Sequence, residues 1–129
     1  MNTNDLTTLL RTEIEKTGHK CYSPDLPQND EMCSSLHIGQ GTSLRTINEK
    51  ILYSEIPCYV LVRGNTNDKS TRLLVDDIFN QLDMKEGLKF NNTRIIIISC
   101  QTPNYAFRDE IQRIYYNINF NVKVEWRNE

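Results

Sequence analysis

Few residues in this chain of 129 have the type and spacing that chemistry needs. Cys33 and His37 are four apart, and a thiol beside an imidazole can make a nucleophile. In a strand, however, four residues span roughly 13 Å, too far to share a proton. Only a helix would bring the pair together, so a half-buried thiol and a surface histidine is the simpler reading. His19 has no evident partner, and two histidines with four scattered cysteines make a poor zinc set. "GQGTSL", residues 39–44, opens like a dinucleotide fingerprint but lacks the third glycine and the partner acid. No Walker lysine pattern occurs. Asp76–Asp77 and Asp109–Glu110 are adjacent carboxylates, and neighbours on a helix point about 100° apart, so they do not converge on one proton or metal. The expectation is no catalytic, cofactor-binding or metal-binding set, no cofactor, and no enzyme.

Arg63 is the residue with two readings. It ends an apolar run just before Gly64, and the C-terminal ends of parallel strands are where open α/β sheets hold ligands. An anion could sit there, or Arg63 could bridge to the loop at Asp109–Glu110. Arg108 and Arg113 flank that loop. On a helical turn, Asp109 and Arg113 would form an i, i+4 pair. "PDLP", Pro24 to Pro27, satisfies P-x-x-P, but a loop that ends a strand explains it without an SH3-type partner. "NNT" at Asn91 carries no weight as a glycosylation acceptor without a secretion signal.

These residues must be positioned by one domain spanning 1–129. Charged residues are 25%, hydrophobic residues 38%, and the net charge is −2. That balance fits a soluble globular chain and gives no basic stripe for general nucleic-acid binding. The longest apolar run, Ile95 to Ile98, is far too short for a bilayer, and no signal peptide is indicated at "MNTNDLTTLL". Cys21, Cys33, Cys58 and Cys100 form no C-x-x-C pair and read as free, mostly buried thiols.

Periodicity predicts a helix over 5–17, with Leu6, Leu9, Leu10 and Ile14 on one stripe, Asn4 as its cap and Gly18 closing it. A short strand at "HKCYSP" and a strand at "MCSSLHIG" follow. Residues 40–54 read as an extended, mobile connection. "IPCYVLVRG", 56–64, is apolar on both faces, as a strand covered above and below would be. Asn67 caps a helix whose inner stripe is Leu74, Val75, Ile78, Phe79 and Leu82. "TRIIIISC", 93–100, is another strand, and 101–112 reads as a loop with one helical turn. The unit 56–100 predicts a right-handed parallel crossover. The fold class expected is α+β, a single mixed sheet of about four to five strands packed with two main helices and ending in a long C-terminal strand.

That last strand, "IYYNINFNVKVEW", raises its own question. Tyr116, Ile118, Phe120, Val122, Val124 and Trp126 alternate with Asn117, Asn119, Asn121, Lys123 and Glu125. Its residues span roughly 40 Å in extended form, against a diameter of about 36 Å for a globule of this length. Either the ribbon is shared between copies of the chain, or a bulge folds it over one core. The first reading makes Asn117, Asn119, Asn121 and Lys123 of the ribbon a candidate oligomer or partner interface, and Arg63, Asp109, Glu110 and Arg113 outside it are counted with them.

The run "PCYVLVRGN", a helix, and then "TRIIIISCQTPNYAFRDEIQRIYYNINFNVKVEW" resembles small tail proteins of long-tailed bacteriophages, a family called minor capsid proteins and similar to tail terminators. The features are Val62, Arg63 and Gly64 at a strand end, a helix spaced like Leu73–Leu82, Pro103, then Asp109, Glu110 and Arg113, then Asn119 and Phe120. "GHKCYSPDLP" after the first helix fits the family's opening. The match covers nearly the whole chain, best over 56–126, and lies in order and spacing rather than in any single motif. Ala106–Phe107 departs from it, where a glycine-like turn belongs before the acid. The resemblance implies a structural virion protein at the head-proximal end of the tail, assembled in the host cytoplasm. It implies a ring, commonly a hexamer, that terminates tail polymerisation and joins tail to head. Its partners would be other copies of itself, the major tail tube protein and the head connector or completion protein, with DNA only passing through the lumen and no membrane. A head-completion or adaptor protein of the same particle, and a non-viral cytoplasmic α/β binding module, are the other readings.

Overall fold

Strict alternation makes the last strand two-faced, and the computed structural model, which describes residues 2–45 and 51–127, uses both faces. The elements run α1 (Thr3–Glu15), β1 (Cys21–Tyr22), β2 (Cys33–Ile38), β3 (Thr42–Arg45), β4 (Ile51–Arg63), α2 (Asp68–Leu82), β5 (Glu86–Phe90), β6 (Thr93–Cys100), β7 (Asn104–Arg108) and β8 (Ile114–Arg127). They form one mixed sheet in the order β1-β2-β4-β8-β6-β5, with β3 paired to β4 and β7 paired to β8. The α+β class, the two helices and the long final strand are as expected. The sheet carries more strands than expected because the short segments β3, β5 and β7 join it along β4, β6 and β8.

β8 lies in the middle of this sheet. β4 pairs with it from Ile51↔Arg127 to Arg63↔Tyr115. On its other side β6 covers Phe120 to Trp126 and β7 covers Ile114 to Asn117. Its length therefore serves pairing within one chain, and neither main-chain edge of β8 is free for another copy. That corrects the premise that the ribbon outgrows a single subunit. β4 and β6 both run antiparallel to β8, so they are parallel to each other. The crossover expected over 56–100 joins parallel strands, but β8 separates them.

Two long rails flank the central pair. β2 and β3 follow each other along β4, interrupted at residues 39–41 opposite Pro57. Proline has no N–H to give a ladder, so the neighbouring strand must step around it. Gly39 N–H donates to the Pro57 carbonyl at 2.8 Å. A Cβ on Gly39 would lie 2.5 Å from the Pro57 oxygen, and one on Gly41 2.5 Å from the Glu55 oxygen. The "GQG" glycines thus admit close backbone approach between neighbouring strands. β6 and β7 follow each other along β8 in the same way, and across the gap Gln101 N–H holds the Asn119 carbonyl at 2.8 Å.

These pairings correct two expectations. The stretch at 40–54 is not an open connection: Thr42–Arg45 pair with Leu52–Glu55 as a hairpin, while residues 46–50 lie outside the described residues. The loop expected at 101–112 contains strand β7 and no helical turn.

α1 touches β1 and β2 at one edge of the sheet and β5 at the other. Six strands laid flat would be roughly 24 Å wide, more than twice a helix diameter of about 10 Å. The sheet must therefore curl around α1. α2 packs on β4, β6 and β8 in the middle. Leu6, Leu10 and Ile14 of α1 and Leu74, Val75, Ile78 and Leu82 of α2 bury against Val60, Val62, Ile95, Ile98, Ile118 and Val122. Both helices occupy the inner face. The outer face has no helix over it, and Pro57, Tyr59, Asn119 and Asn121 are exposed there. β4 was expected to be covered above and below; the helices cover one side, while the other is exposed at Pro57 and Tyr59 and closed only at Arg63, under the loop between β1 and β2. Asn67 caps α2 as expected, its side chain accepting from Ser70 N–H at 3.0 Å. α1 starts earlier than expected and is capped by Asn2 rather than Asn4.

Candidate assembly surface

The end of β4 delivers Arg63 opposite Tyr115 of β8. Arg63 is only 6% exposed. Its Nε donates to the Tyr115 hydroxyl at 2.7 Å, and one terminal nitrogen donates to the carbonyls of Pro27 and Asp30, the latter at 3.0 Å. The Tyr115 hydroxyl donates in turn to Asp109 Oδ2 at 2.9 Å. Arg113 Nε donates to the same oxygen at 2.7 Å, and another Arg113 nitrogen donates to the Gln28 carbonyl at 2.9 Å. Two buried guanidiniums thus clasp the loop between β1 and β2 onto the β4–β8 pair.

Of the two readings of Arg63, the structure shows neither a free anion site nor a direct salt bridge to Asp109; Tyr115 stands between them. The Asp109–Arg113 pair does form, but in the turn from β7 to β8 rather than on a helix. Asp109 Oδ1 accepts from Ile111 and Arg113 N–H at 3.1 and 2.9 Å, and Gln112 takes φ 69. Burial alone would raise the Asp109 carboxyl. The Arg113 side chain and N–H and the Tyr115 hydroxyl outweigh it and hold the group down at about 2. Glu110 is exposed beside it.

The other candidates lie along the outer face. Asn119, Asn121 and Lys123 are exposed opposite Tyr59, Pro57 and Glu55. Asn117 is half-buried, and its Oδ1 has no hydrogen-bond partner among the described residues. His37 stacks on Tyr59 with ring centroids 4.4 Å apart and shares a hydrogen bond with Ser35 Oγ at 3.1 Å. Cys33 sits elsewhere, its thiol on the Asp30 carbonyl at 3.6 Å, so no thiol–imidazole pair exists. The eight candidate residues therefore fall into two groups. Arg63, Asp109 and Arg113 belong to the clasp, and Glu110, Asn117, Asn119, Asn121 and Lys123 present polar groups around it and along the sheet. Among the described residues no group of three or more His, Cys, Asp or Glu could hold a metal ion.

Three residues escaped the sequence reading. Tyr115 completes the relay; two adjacent tyrosines, breaking the alternation where β8 begins, were the signal that both faces are covered there. Glu13 is 2% exposed and collects Lys16 at 2.8 Å, Lys85 at 3.3 Å and Gln81 at 2.7 Å. A carboxylate beside Ile14 on the apolar stripe of α1 was its signal. Glu125, 5% exposed, holds Arg127 at 3.2 Å and Tyr53 at 3.3 Å; its place on the polar side of the alternation hid it.

No protein-family model matches the chain, and no curated protein matches it. A solved structure shares its fold. It is a chain of the virion of native gene transfer agent (GTA) particle, with TM-score 0.68 and 11% sequence identity. The likeness covers 95% of this chain and 96% of that one. At this identity it is a likeness of fold.

Proposed function

We propose that this chain is a structural protein of a tailed-phage-like particle. Copies of it close into a ring, commonly a hexamer, at the head-proximal end of the tail tube, where the ring ends tube growth and meets the head connector. The observation that carries this reading is the end-to-end fold likeness to a chain of a GTA virion, found beside an independent sequence resemblance to small phage tail proteins. The geometry is compatible with it. The buried polar clusters are consumed in holding loops and helices, which suits a part whose work is done by its surface. An uncovered sheet face and a rigid turn are available for contacts with neighbours.

The test is assembly of tail tube protein in the presence and absence of this chain, with tube lengths measured by electron microscopy. The expected result is tubes capped at one end and no longer growing. Tubes that lengthen unchecked, with none of this chain at their ends, overturn the terminator role. Binding to the head connector without any effect on tubes would move the assignment to a head-completion protein.

A further inference from the structure

The turn between β7 and β8 is built more firmly than an exposed turn requires. Asp109 gathers two main-chain N–H groups and the Arg113 guanidinium, and Arg113 is itself 8% exposed and tied to the Gln28 carbonyl. What this frame displays is Ile111, 64% exposed, with Arg108 and Glu110 exposed beside it. Arg108 gives one hydrogen bond to the Gln112 carbonyl at 3.1 Å, and neither Arg108 nor Glu110 makes an ion pair among the described residues. A large apolar side chain held rigidly in water is costly to keep and cheap to bind, because its ordering cost is already met.

The outer sheet face supplies the counterpart. Pro57 is exposed, Tyr59 is 40% exposed and steadied by its stack on His37, and no helix covers them. Glu55 and Lys123 lie opposite each other on β4 and β8 beside this apolar stripe. Both are exposed, and neither makes an ion pair among the described residues. Each surface therefore has an apolar centre and one charge of each sign. One is a turn between two strands and the other a strip of sheet face, so a contact between them joins unlike surfaces of two copies. Two unlike surfaces on one chain produce a head-to-tail contact, the type that closes into rings.

We propose that the β7–β8 turn of one copy docks on the outer sheet face of the next. Ile111 packs on Pro57 and Tyr59, Glu110 meets Lys123, and Arg108 meets Glu55. The inference deepens the ring reading and rests on it, and it names the surfaces through which the ring closes. It is tested by charge exchange at exposed positions, which leaves the clasp and core untouched. Glu110→Lys and Lys123→Glu are made singly and together, with unaltered circular dichroism as the check on folding, and self-association is followed by sedimentation velocity. The unmodified chain should associate, each single variant should weaken association about tenfold or more by opposing like charges, and the double variant should recover it. Single variants that associate as well as the unmodified chain, a double variant no better than the singles, or an unmodified chain that stays monomeric at every concentration would each overturn the docking. The tube assay separates this from the wider reading. Single variants that cap tubes normally would remove this contact and leave the terminator role standing. A chain that associates with charge-exchange rescue yet leaves tubes unchecked would do the reverse.

Discussion

Asp109 is the residue through which acid should act on this fold. Its carboxyl sits at about 2 in the folded chain against an ordinary value of 3.8. A folded pKa below the unfolded one means that the folded state favours the ionised form. The stabilisation is fully present above about pH 4 and is lost as pH falls towards about 2. Asp109→Asn keeps the shape but removes the charge that balances Arg113. It should cost about 1–3 kcal/mol near neutral pH, since a buried hydrogen-bonded charge loses its partner. Urea midpoints measured between about pH 6 and pH 2 check this: the gap between variant and parent should narrow as the solution becomes acidic. A gap that stays constant across that range would show that Asp109 does not hold the clasp through its charge.

At the scale of elements, glycine packing makes a sharper claim. A Cβ on Gly64 would lie 2.0 Å from Thr71 Oγ1, and Gly64 N–H already holds the Ile114 carbonyl at 2.8 Å. The first turn of α2 rests directly on the chain leaving β4. Gly64→Ala should destabilise by about 1–3 kcal/mol through overpacking; equilibrium unfolding in urea will show a lower midpoint, and an unchanged one would mean that α2 shifts freely. The elements that the sequence made legible are those whose apolar period is strong, α1, α2, β6, β8 and the core of β4, together with β2. β3, β5 and β7 were missed because each is only four or five residues long. Each is the short arm of a hairpin whose partner, next in the chain, offers it a ladder, and so few residues show no alternating pattern of their own. The Asp109–Arg113 pair could be foreseen from spacing, but its setting could not, since a tight β-turn and a helical turn both bring residues four apart together. Glu110 and Lys123 were legible as exposed charges. Tyr115 was not legible as the link between Arg63 and Asp109, because its role depends on the register of β4 with β8.

For the whole molecule, the curled sheet should be least stable at its margins and most stable at its centre. β4 and β8 are paired along their length and lie over α2, whereas β5 and β7 are mostly exposed edge strands. Amide hydrogen exchange should be slowest at Val60, Val62, Ile118, Phe120 and Val122, and much faster at Leu88 and Tyr105, because edge strands open locally while central pairs require global unfolding. Uniform protection across these positions would indicate a sheet that opens all at once. The curl also decides where a neighbour can sit. α1 and α2 fill the concave side, which leaves the convex side and the sheet margins open to a partner, where Tyr59, Lys123 and Ile111 are exposed.

The central position of β8 has a consequence in time. Its ladder with β4 joins residues roughly fifty to seventy-five positions apart, a separation that slows the search for native contacts. During synthesis α1, β2, β4 and α2 all emerge before the strand that unites them. Until β8 arrives, β4 lacks its longest partner, and the apolar sides of both helices have no finished floor. Such a chain is most prone to aggregate while still growing, so a chaperone held until the last strand appears should raise the yield of folded protein, and a pause in translation just before β8 should lower it.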